Sequence, residues 1–206
     1  MKYVDLHKEL QEMFQKDQAE VKKHSQLFKR APDSPDLETS RKRLTEKNRE
    51  RSKRLLEILE FMDLPTVSNI GKDGLLWISV IALHAQERIL RTVLEAYEKV
   101  LELYPEEMDA SLLPAMVDRI RLLEHQKQIF GTQWLLGSDN KPYLYPVENF
   151  AAMNDLRQRY GLEKLRRPRD LTYGPNQNKP PFAIVSDQRT PSDKELETEL
   201  AELRDE

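Results

Sequence analysis

The sequence predicts a mainly α-helical protein, a bundle of about five helices around one buried central helix, with a small β-hairpin and a flexible C-terminal tail. Three observations support this fold class. Only 6 of the 206 residues are glycine, whereas Leu, Glu, Lys and Arg are frequent, which favours helix over sheet. Apolar residues recur at helical spacing over long stretches. The 33% of charged and 38% of hydrophobic residues are typical of amphipathic helices with wide solvated faces.

The first two helices are predicted to be long, and the second to pack at one end and to project at the other. Helix one is expected over residues 3–29, where one apolar stripe is formed by Leu6, Leu10, Met13, Phe14, Val21 and Phe28. Helix two is expected to start with Ser34 as N-cap and Pro35 at its first position. Residues 41–54 are almost all polar and residues 55–62 are largely apolar, so only the second half of helix two is expected to pack.

The next segment predicts a loop, a long central helix and a fourth helix. Pro65 and two glycines indicate a loop over residues 63–74. Helix three is predicted from Leu75 to Leu103, and its first two turns are apolar on every side, as in a buried helix. Helix four is predicted from Ser111 to Phe130, with Gly131 in the left-handed position that ends many helices.

Towards the C-terminus the pattern predicts a hairpin, a fifth helix and a separate tail. The hairpin covers about residues 132–146, with a polar turn near 137–142. Helix five runs from an Asn149 N-cap to Gly161. Residues 1–170 are therefore expected to form the helical domain. Residues 171–206 are expected to be a linker-like tail with a short acidic terminal helix, too polar to build its own core.

Composition excludes several classes of function. The absence of cysteine excludes disulfides, thiolate metal sites and thiol catalysis. The net charge of −3 argues against a surface that binds nucleic acid or anionic lipid throughout. No segment resembles a signal peptide or a membrane span, so a cytoplasmic protein with no membrane partner is expected. The histidines lack metal-ligand spacing and no phosphate-binding glycine loop is found, so neither metal nor cofactor is predicted.

His84 is the first candidate functional residue. It follows the apolar run of helix three, and an imidazole can act as base, acid or ligand near neutral pH. A single histidine is weak evidence, because a core histidine satisfied by one neighbour gives the same pattern. Both interpretations stay open at the level of sequence.

The second group of candidates lies at the end of helix four. It comprises Arg119, Glu124, Gln128, Thr132 and Gln133. Glu124 is expected to continue the inward-facing line of that helix, where a carboxylate needs a partner or a raised pKa. An ion pair with Arg119 or Arg121 is the alternative explanation.

Residues 41–54 also suggest nucleic-acid binding, because they carry many basic side chains. The charges are spread around the helix and mixed with Glu46 and Glu50, and no aromatic residue is present to stack on a base. A solvated helix is favoured over a nucleic-acid interface.

The chain resembles a bacterial family described as domain of unknown function 6624. The resemblance rests on Asp17-Gln18, on residues 64–85 with Gly71, Asp73-Gly74 and His84-Ala85, and above all on Asp118-Arg119 to Gln133 with its Phe-Gly-Thr-Gln turn. It covers about residues 10–170. Leu64, Leu83 and Gln86 stand where the family usually has Trp, Gln and Asp, so a family site around His84 lacks two of its components here. The resemblance implies no established activity.

Three functions are compatible with these patterns. The favoured one is a helical binding or interaction protein, whose partner is a small molecule or another protein, with a pocket between the helix that carries His84 and the Phe130–Gln133 turn. The alternative is a hydrolase with His84 as base and Arg119, Glu124 and Gln133 orienting the substrate. Nucleic-acid binding through residues 41–54 is the third.

Overall fold

The computed structural model describes residues 1–31, 34–136 and 142–165, and it confirms the predicted fold class. Six α-helices are found in this part of the chain: α1 (Val4–Arg30), α2 (Asp36–Met62), α3 (Val67–Leu83), α4 (Glu87–Leu103), α5 (Leu113–Leu123) and α6 (Phe150–Arg159). Two 3₁₀ turns, Pro105–Glu107 and Ala110–Leu112, join α4 to α5. Strands β1 (Trp134–Leu136) and β2 (Pro142–Leu144) form the antiparallel hairpin, with Trp134 opposite Leu144.

The core is built around α3, as its all-round apolar sequence predicts. Its buried side chains include Ile70, Leu75 and Ile78, and they pack with buried residues of α1, α2, α4 and α5 in one continuous cluster. Each fully buried Leu or Ile side chain stabilises the fold by about 1.5–3 kcal/mol relative to exposure. Tyr97 of α4 is wholly buried, and its hydroxyl donates to the Leu75 carbonyl at 2.5 Å.

The distal halves of α1 and α2 project from this core, as was predicted for the second helix. Buried side chains on α1 stop at Asp17, and those on α2 begin at Arg51. Helix α2 starts at Asp36, one residue later than predicted, and the Ser34 hydroxyl accepts the Asp36 N–H at 3.2 Å. The polar sequence of the projecting half thus lies where no core requires apolar residues.

The prediction of one central helix over residues 75–103 was wrong, because α3 ends at Leu83 and α4 begins at Glu87. The N–H groups of His84 and Ala85 reach back only three residues, to Ile81 and Ala82 at 3.1 and 3.0 Å. Gln86 is extended (φ −63°, ψ 151°) and starts the new helix. No glycine or proline marks this break. Helix α4 packs against α5 after the break, whereas helical periodicity in the sequence continues on both sides of it.

The prediction of a loop over residues 63–74 was also wrong, since α3 begins at Val67. Thr66 caps it by accepting the Asn69 N–H at 3.2 Å. Gly71 has φ 74° and ψ 167°, so it kinks the helix and does not end it. A glycine that a sequence pattern indicates as a loop residue is here the hinge between two helical segments.

The end of helix four was predicted seven residues too late, because α5 stops at Leu123. Its last turn closes with His125 in the left-handed region, at φ 59°. Gly131 does have the predicted positive φ, at 67°, although it lies in the turn that follows and not at the helix end.

The hairpin and the last helix agree with prediction. Asn149 caps α6 by accepting the N–H groups of Ala151 and Ala152, both at 3.1 Å, and Gly161 has φ 72°. The hairpin turn at residues 137–141, the domain boundary near residue 170 and the acidic terminal helix lie outside the described residues.

Candidate functional site

His84 is held by a buried carboxylate on another helix. Its Nδ1 lies 2.8 Å from Oδ2 of Asp17, whose side chain is 0% exposed, whereas the His84 side chain is 30% exposed. The amide of Gln18 donates to the same oxygen at 3.0 Å. Because His84 caps the C-terminus of α3 and Asp17 lies on the inward face of α1, the contact joins two helices that are distant in sequence.

Arg51 of α2 completes the cluster from the other side of Asp17. Its Nη2 lies 3.2 Å from Asp17 Oδ1, and its Nη1 donates to Glu20 at 2.8 Å. The guanidinium also donates to the Asn48 amide oxygen at 2.6 Å. The name His84 cluster is used below for His84, Asp17 and Arg51.

Two buried atoms of the His84 cluster have no hydrogen-bond partner within the described part of the chain. They are Asp17 Oδ1 and Arg51 Nε. The 3.2 Å approach of Arg51 to Asp17 is therefore an ion pair whose alignment is too poor for a hydrogen bond. Buried polar groups in folded proteins normally make hydrogen bonds, so an unpaired acceptor and an unpaired donor in one place need an explanation.

The contact with Asp17 determines what His84 can do. An ionised carboxylate only accepts hydrogen bonds, so the contact assigns a proton to Nδ1 of the ring. The lone pair of neutral His84 is then on Nε2, which has no protein partner among the described residues. A histidine oriented in this way accepts a hydrogen bond or a proton from a bound molecule.

The sequence contained a signal for Asp17 that periodicity alone did not identify as functional. Asp17 lies four residues after Met13 and four before Val21, so it stands on the apolar stripe of helix one. A carboxylate on such a stripe needs a buried partner. Arg51 gave a weaker signal, since it lies where the polar half of helix two meets the apolar half.

The predicted candidates around the Phe-Gly-Thr-Gln turn form a separate network centred on Asp118. Asp118 is 0% exposed, and its Oδ1 accepts the N–H groups of Ile129 and Phe130 at 2.8 and 3.0 Å. Its Oδ2 accepts both the N–H and the hydroxyl of Thr132, at 2.9 and 2.7 Å. One carboxylate therefore holds the backbone of the whole turn against α5.

Gln128 and Gln133 continue this turn network. The fully buried amide of Gln128 donates to the carbonyls of Tyr145 and Gln133, at 2.7 and 3.2 Å, and accepts the Gln133 N–H at 2.9 Å. The Gln133 amide donates to the Ala115 carbonyl of α5 at 3.1 Å. The hydrogen bonds of these side chains are made within the chain, so the polar residues of the turn are explained by their role in holding the turn and the hairpin in place.

Glu124 differs from its prediction. It is exposed at the end of α5 and does not lie on the inward line, because the helix ends one residue before it. Its partner is Arg91 of α4, at 2.5 Å, and not Arg119 or Arg121. The hydrogen bonds that Arg91 donates to Glu87 and to Glu124 raise the pKa of Arg91. This pair ties α4 to α5 at the surface, where such pairs stabilise by at most about 1 kcal/mol.

His84 and the turn network are held by different elements. Within the described residues, no hydrogen bond or ion pair joins His84 to Arg119, Glu124 or the Gln128–Gln133 segment. An open groove lies between α4 and α5, lined by Leu94, Val117, Ile120 and charged side chains. None of the predicted site residues lines this groove.

The basic half of α2 is largely neutralised by its own neighbours. Arg41 lies 2.8 Å from Glu38 and Lys47 lies 2.7 Å from Glu50. Arg54 contacts Glu9 of α1 at 2.6 Å, and its hydrogen bond lowers the pKa of that carboxyl. Cations paired in this way offer less charge to a phosphate backbone.

Comparison with protein-family models, with curated proteins and with solved structures finds no match to this chain. The similarity to domain of unknown function 6624 therefore stays a prediction. In the part of the chain that the structure describes, no helix is long and apolar enough to cross a bilayer. The same residues contain no group of three or more His, Asp or Glu side chains arranged to hold a metal ion.

Proposed function

We propose that this chain is a binding protein for a small polar molecule, and that the molecule donates a hydrogen bond to Nε2 of His84. The single observation that carries the proposal is the 2.8 Å contact of His84 with the fully buried Asp17. Burial of a carboxylate is unfavourable unless it is paired, and a histidine that only fills the core could donate its N–H to a neutral acceptor such as a backbone carbonyl. Asp17 therefore orients an acceptor at a partly exposed position.

The unmet groups beside His84 support the same location. Asp17 Oδ1 and Arg51 Nε are one acceptor and one donor in a buried ion pair, which is the arrangement that a ligand or an ordered water completes. In the turn network, by contrast, each carboxylate oxygen of Asp118 already accepts two hydrogen bonds. Recognition of a small molecule is thus better supported at the His84 cluster than at the Gly-Thr-Gln turn.

A hydrolase that uses His84 as base is the second candidate, and the same contact favours it. A carboxylate bound to Nδ1 keeps the imidazole in one tautomer and stabilises the imidazolium that forms when Nε2 takes a proton from water. Leu83 and Gln86, beside His84, replace polar residues that the family resemblance would supply. We therefore rank binding first.

The test compares His84→Gln with His24→Gln in a thermal-shift screen against a panel of nucleosides, sugars, amino acids and amines. His24 is a matched control, because it also joins two helices, through a 3.0 Å contact with Ser40, but has no carboxylate partner. We expect at least one compound to stabilise the wild type and the His24 variant but not the His84 variant. A panel with no His84-dependent compound contradicts the proposal.

The hydrolase alternative is tested on the same variants with p-nitrophenyl acetate and p-nitrophenyl phosphate. An enzyme with an oriented histidine base should lose about 10²-fold or more of its rate in His84→Gln, and most of that loss should recur in Asp17→Asn. Equal rates in the wild type and His84→Gln exclude His84 as the base for these substrates. A compound that binds through His84 without being hydrolysed would then support the proposal that the chain is a binding protein.

A further inference from the structure

A second polar site lies where α5 meets the end of the hairpin, and it does not involve His84. Ala115 and Arg119 are four residues apart, so they share one face of α5. The Gln133 amide is bound to the Ala115 carbonyl on that face, at 3.1 Å. The N–H of Tyr145 donates to the Gln133 carbonyl at 3.3 Å, which brings Tyr145 beside the same face.

Arg119 is unusual among the partly buried arginines of the described residues, because its guanidinium has no hydrogen-bond or ion-pair partner among them. Arg51 has Glu20 and Asn48, and Arg121 has Glu148 and the Lys127 carbonyl. Arg157 donates to the carbonyls of Phe130 and Glu163, both at 2.7 Å. Burial lowers the pKa of Arg119, an effect that a neighbouring counter-charge would offset.

Tyr145 presents a second unmet donor beside Arg119. Only 6% of Tyr145 is exposed, and within the described residues its hydroxyl has no hydrogen-bond partner. Burial raises the pKa of Tyr145, and the nearby Arg119 opposes this shift. The hydroxyl therefore stays protonated at neutral pH and donates a hydrogen bond.

We propose that Arg119 and Tyr145 together bind a small oxyanion, a carboxylate or a phosphate. A guanidinium presents a planar fork of donors that matches two oxygens of such a group, and the Tyr145 hydroxyl supplies one more donor. Arg119 is partly buried and has no counter-ion among the described residues, so a bound anion supplies the charge that its guanidinium lacks. The polar groups of Asp118, Thr132 and Gln128 hold the hairpin in place for this site without themselves contacting the ligand.

The experiment measures the thermal unfolding of the full chain in sodium acetate, sodium phosphate and sodium chloride, each at the same ionic strength. We expect acetate or phosphate to raise Tm in a saturable way and chloride to have no such effect. A shift with acetate alone identifies a carboxylate site, and a shift with phosphate alone identifies a phosphate site. Equal shifts in all three salts would mean that only screening is observed, which overturns the proposal.

Arg119→Met and Arg121→Met separate ligand binding from a structural role. Arg119→Met should not lower Tm in chloride, because it removes no partner, and it should weaken anion binding at least about tenfold. Arg121→Met should lower Tm, since it breaks contacts with Glu148 and Lys127, but should keep the anion shift. An Arg119→Met variant that unfolds, or that keeps the shift, contradicts the proposal.

Tyr145→Phe provides an independent measurement that preserves the ring. Loss of one hydroxyl donor to a charged group should weaken acetate or phosphate binding about tenfold, with the guanidinium still present. In the wild type, the NMR resonance of the Arg119 Nε–Hε group should shift as the anion is added. Half of this shift should occur at the same anion concentration as half of the rise in Tm. Binding that leaves this resonance unchanged places the anion elsewhere and refutes the assignment.

Discussion

Asp118→Asn is the substitution that most directly tests how the turn network is held together. The amide has nearly the same shape as the carboxylate, so the change leaves packing intact and alters only hydrogen bonding and charge. The remaining carbonyl oxygen can still accept from Ile129 and Phe130, as Oδ1 does now. The new NH₂ group then faces Thr132, where Oδ2 accepts an N–H and a hydroxyl.

The expected loss follows from these four bonds. The Thr132 hydroxyl can rotate and accept from the new NH₂ group, but the Thr132 N–H cannot. One charge-assisted bond is lost, about 1.5–3 kcal/mol, the bond with the Thr132 hydroxyl is reversed, and the two bonds from Ile129 and Phe130 become neutral and weaker. We therefore expect the free energy of unfolding to fall by about 2–4 kcal/mol, a large part of the ~5–15 kcal/mol of a typical domain.

Urea unfolding followed by far-ultraviolet circular dichroism measures this loss, with Asp155→Asn as the matched control. Asp155 is exposed on α6, and among the described residues its side chain makes no hydrogen bond, so its replacement should change stability by less than about 0.5 kcal/mol. If the two variants are equally stable, the four bonds to Asp118 contribute nothing net. The architectural explanation of the turn would then be wrong.

The remaining predictions concern alkaline stability and two left-handed glycines. Burial raises the pKa of Tyr97 well above its ordinary range, so the folded state keeps a proton that the unfolded state loses above pH ~10. The free energy of unfolding should therefore fall as the pH rises past that value. Tyr97→Phe should reduce this fall in unfolding free energies measured from pH 7 to 11. Gly131→Ala should destabilise more than Gly161→Ala, because both sites have positive φ (67° and 72°) but only at Gly131 would the new Cβ lie 2.6 Å from Met153 Sδ. We expect about 1–2 kcal/mol for the shared backbone strain and about 1 kcal/mol more at Gly131, measured by urea unfolding; equal losses would show that Met153 moves aside without penalty.

The helices were predictable because their signals are local. The apolar stripe of α1, the buried sequence of α3 and the Asn149 cap of α6 each lie within a few turns of one segment, and each was confirmed. The break at His84 and the end of α5 at Leu123 were not predictable from the same patterns. Both lie beside contacts that such patterns do not contain: α4 packs on α5, and Asp118 accepts hydrogen bonds from residues 129–132.

The candidate site was predictable only in part for the same reason. Periodicity identified His84, but its partners come from α1 and α2, 67 and 33 residues earlier in the chain (84 − 17 and 84 − 51). The polar residues of the turn were predicted as ligand-binding candidates, and in the structure their hydrogen bonds hold the turn itself. What a sequence does not reveal is whether such a group is satisfied by backbone, as Gln128 is, or left with an unmet atom, as Asp17 is.

This distinction separates polar groups that hold the fold together from polar groups that are expected to bind a ligand. A buried polar group whose hydrogen bonds are all made within the chain stabilises one backbone conformation, as Asp118 does for the turn. A buried group with an unmet donor or acceptor costs free energy that folding alone does not recover. Asp17 and Arg51 carry that cost beside His84, and Arg119 is partly buried with no hydrogen-bond or ion-pair partner among the described residues. Ligand recognition is therefore expected at these incompletely satisfied groups, and substitutions within the saturated turn network should alter stability before they alter binding.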